Sequence, residues 1–245
     1  TVHDLLANQS GLAQESFNRK PYNPVLDLFI GRNLHALTLQ RTVDHTPGSA
    51  FDFNHINAQA LYFVLTRATN KRYAELVSEY LWMPLGNETG FVALDRARGD
   101  ARAICCFIGS VSSWLRFGLM LANNGVWDGR QVVAPEWLQT VRTPVSHNPS
   151  AGFSVWLVEP FTGKRIQSTR TGSARPLSGP FLAEDTYFME ASGNGRIYVV
   201  PSRRLAIFRV GRLTNPWASF DDAFVVNTVV AGLDTTTQNP TEGAE

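Results

Sequence analysis

Hydrophobic and polar positions follow two different periods along the chain, and the change falls near the middle. Thr1 stands ahead of Asp4, Leu5 and Leu6 as a cap, predicting a short helix that ends near Ser10-Gly11. From Asn54 onward, Ile56, Ala60, Phe63 and Val64 fall at i, i+4, i+7 and i+8, the spacing of an amphipathic helix. Tyr73, Leu76, Val77 and Tyr80 repeat it in a second helix, which Pro84 and Gly86 end. Ser112 or Ser113 caps a third, with Trp114, Phe117, Gly118 and Leu121 on one face and Asn124-Gly125 as the stop. No period holds over 13–50, where Pro21, Pro24 and Pro47 interrupt it, so that stretch is expected to be irregular with a turn at Pro47-Gly48.

Past residue 150 the period drops to two. Phe153, Val155 and Leu157 alternate with Ser154 and Trp156, the pattern of a half-buried strand. Arg196 to Val200 and Arg204 to Val210 are β-rich runs joined by Pro201-Ser202-Arg203, which predicts an antiparallel hairpin. A last helix places Trp217, Phe220, Phe224 and Ala231 on one face, with Thr228 interrupting the stripe. Helices followed by an antiparallel sheet and a closing helix make an α+β domain. Its expected extent is 1–234, mostly helical over 1–145 and sheet plus helix over 146–234, with 235–245 a flexible polar tail.

Composition narrows the function classes. The chain has 245 residues, 44% of them hydrophobic, enough for a core and too many for a disordered or fibrous chain. Its 22 basic and 21 acidic side chains leave a charge of +1, which gives no electrostatic reason to expect nucleic acid or an anionic membrane as partner. No apolar run approaches the roughly 18 residues of a membrane span, and Thr1 to Leu6 lack the basic and apolar regions of a signal peptide. The adjacent Cys105 and Cys106 are poorly placed for a bond to each other and are expected to be small buried hydrophobes.

Several short motifs fail on context. Gly193-Asn194-Gly195 lacks the third glycine of a dinucleotide loop, since Tyr198 stands there and a strand follows. No Gly-x-Ser-x-Gly elbow occurs. His35, His45 and His55 are too widely spaced for a helical metal pair, and no cofactor is expected. Asp44-His45 has the residue types of a triad pair without a serine to match. Asn8-Gln9-Ser10 and Asn87-Glu88-Thr89 fit the glycosylation sequon, a pattern short enough to arise by chance.

Five segments, in order, carry a family resemblance. They are Thr1-Val2-His3-Asp4-Leu5-Leu6 through Ser10-Gly11-Leu12, Pro47-Gly48-Ser49-Ala50-Phe51-Asp52-Phe53-Asn54-His55-Ile56-Asn57, and Trp82-Met83-Pro84-Leu85-Gly86. Ser112 to Gly118 with Gly125 to Arg130, and Gly193 to Pro201, complete the set. Together the chain resembles the serine β-lactamase-related hydrolases, which include class C β-lactamases, esterases, D-amino-peptidases and 6-aminohexanoate-oligomer hydrolases. The resemblance implies a β-lactamase/transpeptidase-like α+β fold, an antiparallel sheet flanked by helices with a mostly helical subdomain. It also implies acyl transfer through a serine ester, with a small ester or amide as substrate.

That chemistry uses a Ser-x-x-Lys nucleophile, a Tyr-x-Asn element and a Lys-Thr-Gly-like sheet edge whose backbone N–H helps hold the oxyanion. Only Lys20, Lys71 and Lys164 are lysines, and the residues three before them are Phe17, Ala68 and Phe161, so no Ser-x-x-Lys is present. Ser16-Phe17-Asn18-Arg19 comes nearest, but arginine does not deprotonate to act as a base. In the family this motif precedes the segment that begins here at Thr1, so the nucleophile helix and the N-terminal strands are expected to be missing and the chain alone inactive. Their absence is expected to leave Leu205 to Val210 as an unpaired β edge with an uncovered apolar face.

Phe53 occupies the tyrosine position and has no proton to exchange. His55 falls at the asparagine position, where it is the one weak candidate for catalysis; a shift of one residue puts Asn54 there, and a shift of two Asn57. Ala191-Ser192-Gly193 keeps the hydroxyl and the glycine of the third element but not the cation. Phe53, Asn54, His55, Asn57, Ser192, Gly193, Asn194 and Gly195 are therefore the expected pocket lining. The alternative is a non-catalytic member acting as a binding or assembly module.

Overall fold

A computed structural model describes residues 1–13, 24–191, 195–211 and 221–238. Its centre is an antiparallel sheet of four strands in the order β10-β9-β8-β5: β5 (Trp156–Leu157), β8 (Tyr187–Ala191), β9 (Gly195–Val200) and β10 (Leu205–Arg209). All six residues of β9 are buried, because both faces of the sheet are covered. On one face Ile197 and Val199 join Tyr187, Leu157, Met120 and Leu121. On the other, Tyr198 and Val200 join Phe188, Trp156, Val226 and Val230. This double covering corrects the half-buried strand expected at 153–157: Trp156 and Leu157 are both buried, one in each core.

The hairpin forms as its sequence predicts, with Leu205 opposite Val200 and Arg209 opposite Arg196. A 3-10 turn at Pro201–Arg203 hands over to Arg204 in the left-handed region at φ 47°. Ser202 fixes the turn by donating its backbone N–H and its hydroxyl to Asp185, at 2.6 and 2.7 Å. Among the described residues β10 pairs only with β9, so its outer edge is open. Its apolar residues are half-buried rather than bare, with Leu205 and Ile207 against one core and Phe208 against the other.

The helices that position the site differ from expectation in instructive ways. Helix α1 (Val2–Leu6) starts with the predicted Thr1 cap, completed into a capping box by Asp4. The region expected to be irregular holds α2 (Pro24–Ile30) and α3 (Leu34–Leu39). Pro24 opens α2 instead of breaking it, because the first turn of a helix does not use the N–H that proline lacks. Asn33 caps α3 by accepting from Ala36 N at 3.1 Å. Helix α4 (His55–Thr69) buries Ile56, Asn57, Gln59 and Tyr62 and leaves Val64 39% exposed. Its inward face thus includes two amides that the hydrophobic count excluded, both hydrogen-bonded.

Helix α5 (Tyr73–Val77) passes into one π turn, Ser78–Trp82, which buries Trp82 and leaves Tyr80 exposed. A pair of two-residue antiparallel strands, β1 (Phe91–Val92) and β2 (Phe107–Ile108), precedes α6 (Val111–Ala122). Ser110 caps α6, ahead of the serines expected to do so, accepting from Ser113 N at 3.2 Å. The edge pair β3 (Val126–Trp127) and β4 (Arg130–Gln131), helix α7 (Pro135–Val141), and the hairpin of β6 (Lys164–Ile166) with β7 (Ala174–Pro176) complete the periphery.

Helix α8 (Asp222–Gln238) runs four residues into the stretch expected to be a tail, since an established helix propagates cheaply. Trp217, Phe220 and residues 239–245 lie outside the described residues. Phe224, expected inward, is 67% exposed, and Ala223, Val226 and Val230 face the core instead. The buried Asp222, held by Arg196 and Tyr198, sets this rotation.

One smaller expectation, on the cysteines, is corrected, and the first sequon is accounted for. Cys105 and Cys106 are bonded to each other and are half-exposed, not buried as separate thiols. Asn8 of the first sequon is buried at φ 54°, with its side-chain oxygen accepting from Asn54 and Asn57. Among the described residues no helix is long and apolar enough to cross a membrane.

Candidate active site

The segment Phe51 to Asn57 leads into α4 and is held from two sides. Phe53 N donates to Gln167 O at 2.8 Å, and Asp52 N to Asn8 O at 2.8 Å. Asn54 caps α4: its side-chain oxygen accepts from Ile56 N at 3.1 Å and its amide donates to Leu12 O at 3.0 Å. Asn57 donates to Asn8 Oδ1 at 3.0 Å and accepts from Ser10 Oγ at 2.5 Å. Both asparagine amides are therefore engaged in joining the segment after α1 to α4, and both are buried.

Phe53 and His55 are half-buried and lie side by side. Their ring centroids are 5.3 Å apart at 76°. Phe53 also lies 5.5 Å from Trp156, and His55 lies 5.7 Å from Phe29. Burial lowers the His55 pKa from its ordinary value; the positive charge of Arg175 lowers it further and Glu190 opposes. Its place at the first position of α4, beside the positive end of the helix dipole, acts in the same direction. Burial and Arg175 thus both disfavour the protonated imidazole.

Behind Trp156 stands a charge cluster that the sequence reading missed. The Arg165 guanidinium stacks 5.1 Å from both Trp156 and Phe188 and meets Glu190 at 2.7 Å. Glu190 also meets Arg196 at 2.7 Å and the more exposed Arg175 at 4.0 Å. Burial pushes the Glu190 carboxyl up, but Arg165, Arg196 and Arg175 together hold it below the usual carboxylate range. Arg196 continues to Asp222 at 3.3 Å, and Tyr198 donates its hydroxyl to the same oxygen at 2.5 Å. Burial, then the Asp222 charge and hydrogen bond, raise the Tyr198 pKa well above its ordinary value. The one available signal was charged residues inside apolar strand runs, Glu190 after Tyr187-Phe188-Met189 and Arg196 before Ile197-Tyr198-Val199.

Of the other expected lining residues, Gly195 opens β9 opposite Ala191 and is buried, while Ser192, Gly193 and Asn194 lie outside the described residues. His45 Nε2 lies 3.7 Å from Asp52, whose carboxylate also takes Arg170 at 2.9 Å, a link between segments rather than a triad. Two open grooves, of about 730 and 490 Å³, lie along α4 and α5 and are lined by neither Phe53 nor His55. Among the described residues no group of three or more His, Cys, Asp or Glu side chains is placed to hold a metal.

Comparison with known proteins bears on the fold of the chain. The chain superposes on a putative 6-aminohexanoate-dimer hydrolase from Bacillus anthracis with a TM-score of 0.71 at 16% identity, covering 100% of this chain and 62% of that one. A beta-lactamase from Mycobacterium bovis superposes at 0.62 with 18% identity, covering 95% and 74%. A beta-lactamase/D-alanine carboxypeptidase from Yersinia pestis gives 0.62 with 16% identity, covering 94% and 69%. At these identities the likeness is one of fold, and the chain spans 62% of the Bacillus anthracis protein's length. No curated protein sequence matches. The sequence profile of the Beta-lactamase family, however, matches residues 1–224, nearly the whole length over which helices and sheet were traced above, and the chain belongs to that family.

Proposed function

We propose that the chain is part of a serine hydrolase that transfers acyl groups from a small ester or amide, and that these 245 residues form pocket walls without supplying the nucleophile. The observation that carries this is the lysine count. With Phe17, Ala68 and Phe161 three positions before the only lysines, no serine has the lysine neighbour that would take its proton. Phe53, Asn54, His55, Asn57 and Gly195 are the expected wall positions for which structure is described, and Ser192 to Asn194 the expected oxyanion edge. A working enzyme then needs a Ser-x-x-Lys from outside these residues. An in-frame Ser-x-x-Lys in the coding sequence ahead of Thr1 supports the proposal, and a stop codon before one contradicts it.

A second reading, a binding module, is favoured by one observation: Phe53 sits against Trp156 and His55 with no hydroxyl to relay a proton. Losing such a group costs about 10²–10⁴-fold in rate. In a longer protein that carries Ser-x-x-Lys, Phe53→Tyr raising ester turnover by on the order of 10²-fold favours the enzyme. Binding of an ester with no turnover in either form favours the module.

A further inference from the structure

We propose that Cys105–Cys106 is a reversible thiol–disulfide site, opened by a dithiol reductant, which controls how tightly its loop holds the helix bearing His55. A bridge between neighbouring residues closes almost no chain, so it adds little of the loop-closure stabilisation that long-range disulfides supply. Its effect is local. Cys106 sits at φ 69°, a left-handed conformation that a residue with a β-carbon rarely adopts and that the closed ring retains. Both residues are half-buried rather than enclosed in the core.

The loop is tied to the candidate site on both sides. Cys106 O accepts from Ala93 N at 3.0 Å, and Cys105 N donates to Arg102 O at 3.3 Å. The Arg102 guanidinium donates to Leu28 O and Gly31 O at 2.7 and 2.5 Å, at the end of α2. Phe29, next to Leu28, touches His55. On α4, Gln59 donates to Ala101 O at 2.8 Å and accepts from Ala103 N at 3.1 Å. Opening proceeds by thiol–disulfide exchange: a thiolate of the reductant attacks one sulfur, the Cys105–Cys106 bond breaks, and the second thiol of the reductant closes its own disulfide. Two electrons and two protons end on Cys105 and Cys106 as thiols, and an oxidised dithiol reverses the step. Freed from the ring, Cys106 relaxes from the left-handed region and its carbonyl turns from Ala93.

The test is iodoacetamide labelling and amide exchange on the chain purified without reductant. The expected result is no alkylated cysteine before dithiothreitol and two afterwards under native conditions. In the reduced protein the Ala93 and Ala103 amides should exchange roughly 5- to 30-fold faster, with β9 amides unchanged. A C105A/C106A variant should show the fast exchange with or without dithiothreitol. Alkylation of both cysteines without reductant, a bond that dithiothreitol does not open in the folded protein, or equal exchange in the two redox states would each overturn the proposal.

Discussion

On one face of the sheet Ile197 and Val199 meet Met120 and Leu121 of α6; on the other Arg196 and Tyr198 share Asp222, and Glu190 gathers three arginines. The first face needs only shapes that fit, and its stability grows with apolar area removed from water. The second has an apolar core of its own and adds pairing to it, in which each buried charge is tolerable because its neighbour is present. Arg165 and Arg175 stand directly opposite each other on β6 and β7, an unfavourable placement for like charges that Glu190 offsets. Aliphatic contacts thus fail gradually when trimmed, whereas the charged face fails abruptly when one member is lost.

The largest test of this contrast is Glu190→Ala, which leaves Arg165 buried without its carboxylate and Arg196 with Asp222 alone. We expect a loss of about 3–5 kcal/mol in urea unfolding, and a double-mutant cycle with Arg165→Met should show strong coupling. Tyr198→Phe removes one hydrogen bond to a charged acceptor while Asp222 keeps Arg196, and should cost about 1.5–3 kcal/mol.

On the aliphatic face, Gly118→Ala places a β-carbon 2.9 Å from Ala206 Cβ and 3.1 Å from Ile197 Cγ2. Overpacking of about 1–3 kcal/mol is set against about 1 kcal/mol of gained helix propensity, so thermal melting should show a small net loss. A loss here as large as that of Glu190→Ala would erase the distinction between the faces.

Acid titration probes the charged side more gently. Glu190 has its folded pKa below its ordinary 4.5, so its contribution is complete above that value and is lost as pH falls through the folded pKa. His55 is also depressed, from 6.5, so the unfolded chain takes up its proton first and stability declines as pH drops below 6.5. His55→Gln should flatten the portion of a stability profile just below pH 6.5 and leave the decline below 4.5 in place.

What could be read from the sequence follows how local each cause is. The β9–β10 hairpin was legible because β-branched runs and Pro201-Ser202-Arg203 act within a dozen residues. The α1 cap was legible because Thr1 and Asp4 are three apart. The charge cluster was not, since Arg165, Arg175, Glu190, Arg196 and Asp222 come from five separate elements and meet only in the fold. For the same reason Asn54 and Asn57 read as substrate-facing amides, although Asn8, Ser10 and Leu12 engage them from the segment after α1. Phe224 was placed inward on periodicity alone, while the Asp222 ion pair turns α8 the other way.

The claim that these residues form pocket walls without a nucleophile is tested most directly by treating the folded 245-residue chain with a fluorophosphonate and measuring its intact mass. The expected result is an unchanged mass at concentrations that fully label a serine hydrolase of the same family. A one-to-one adduct that maps to a serine of this chain would contradict it.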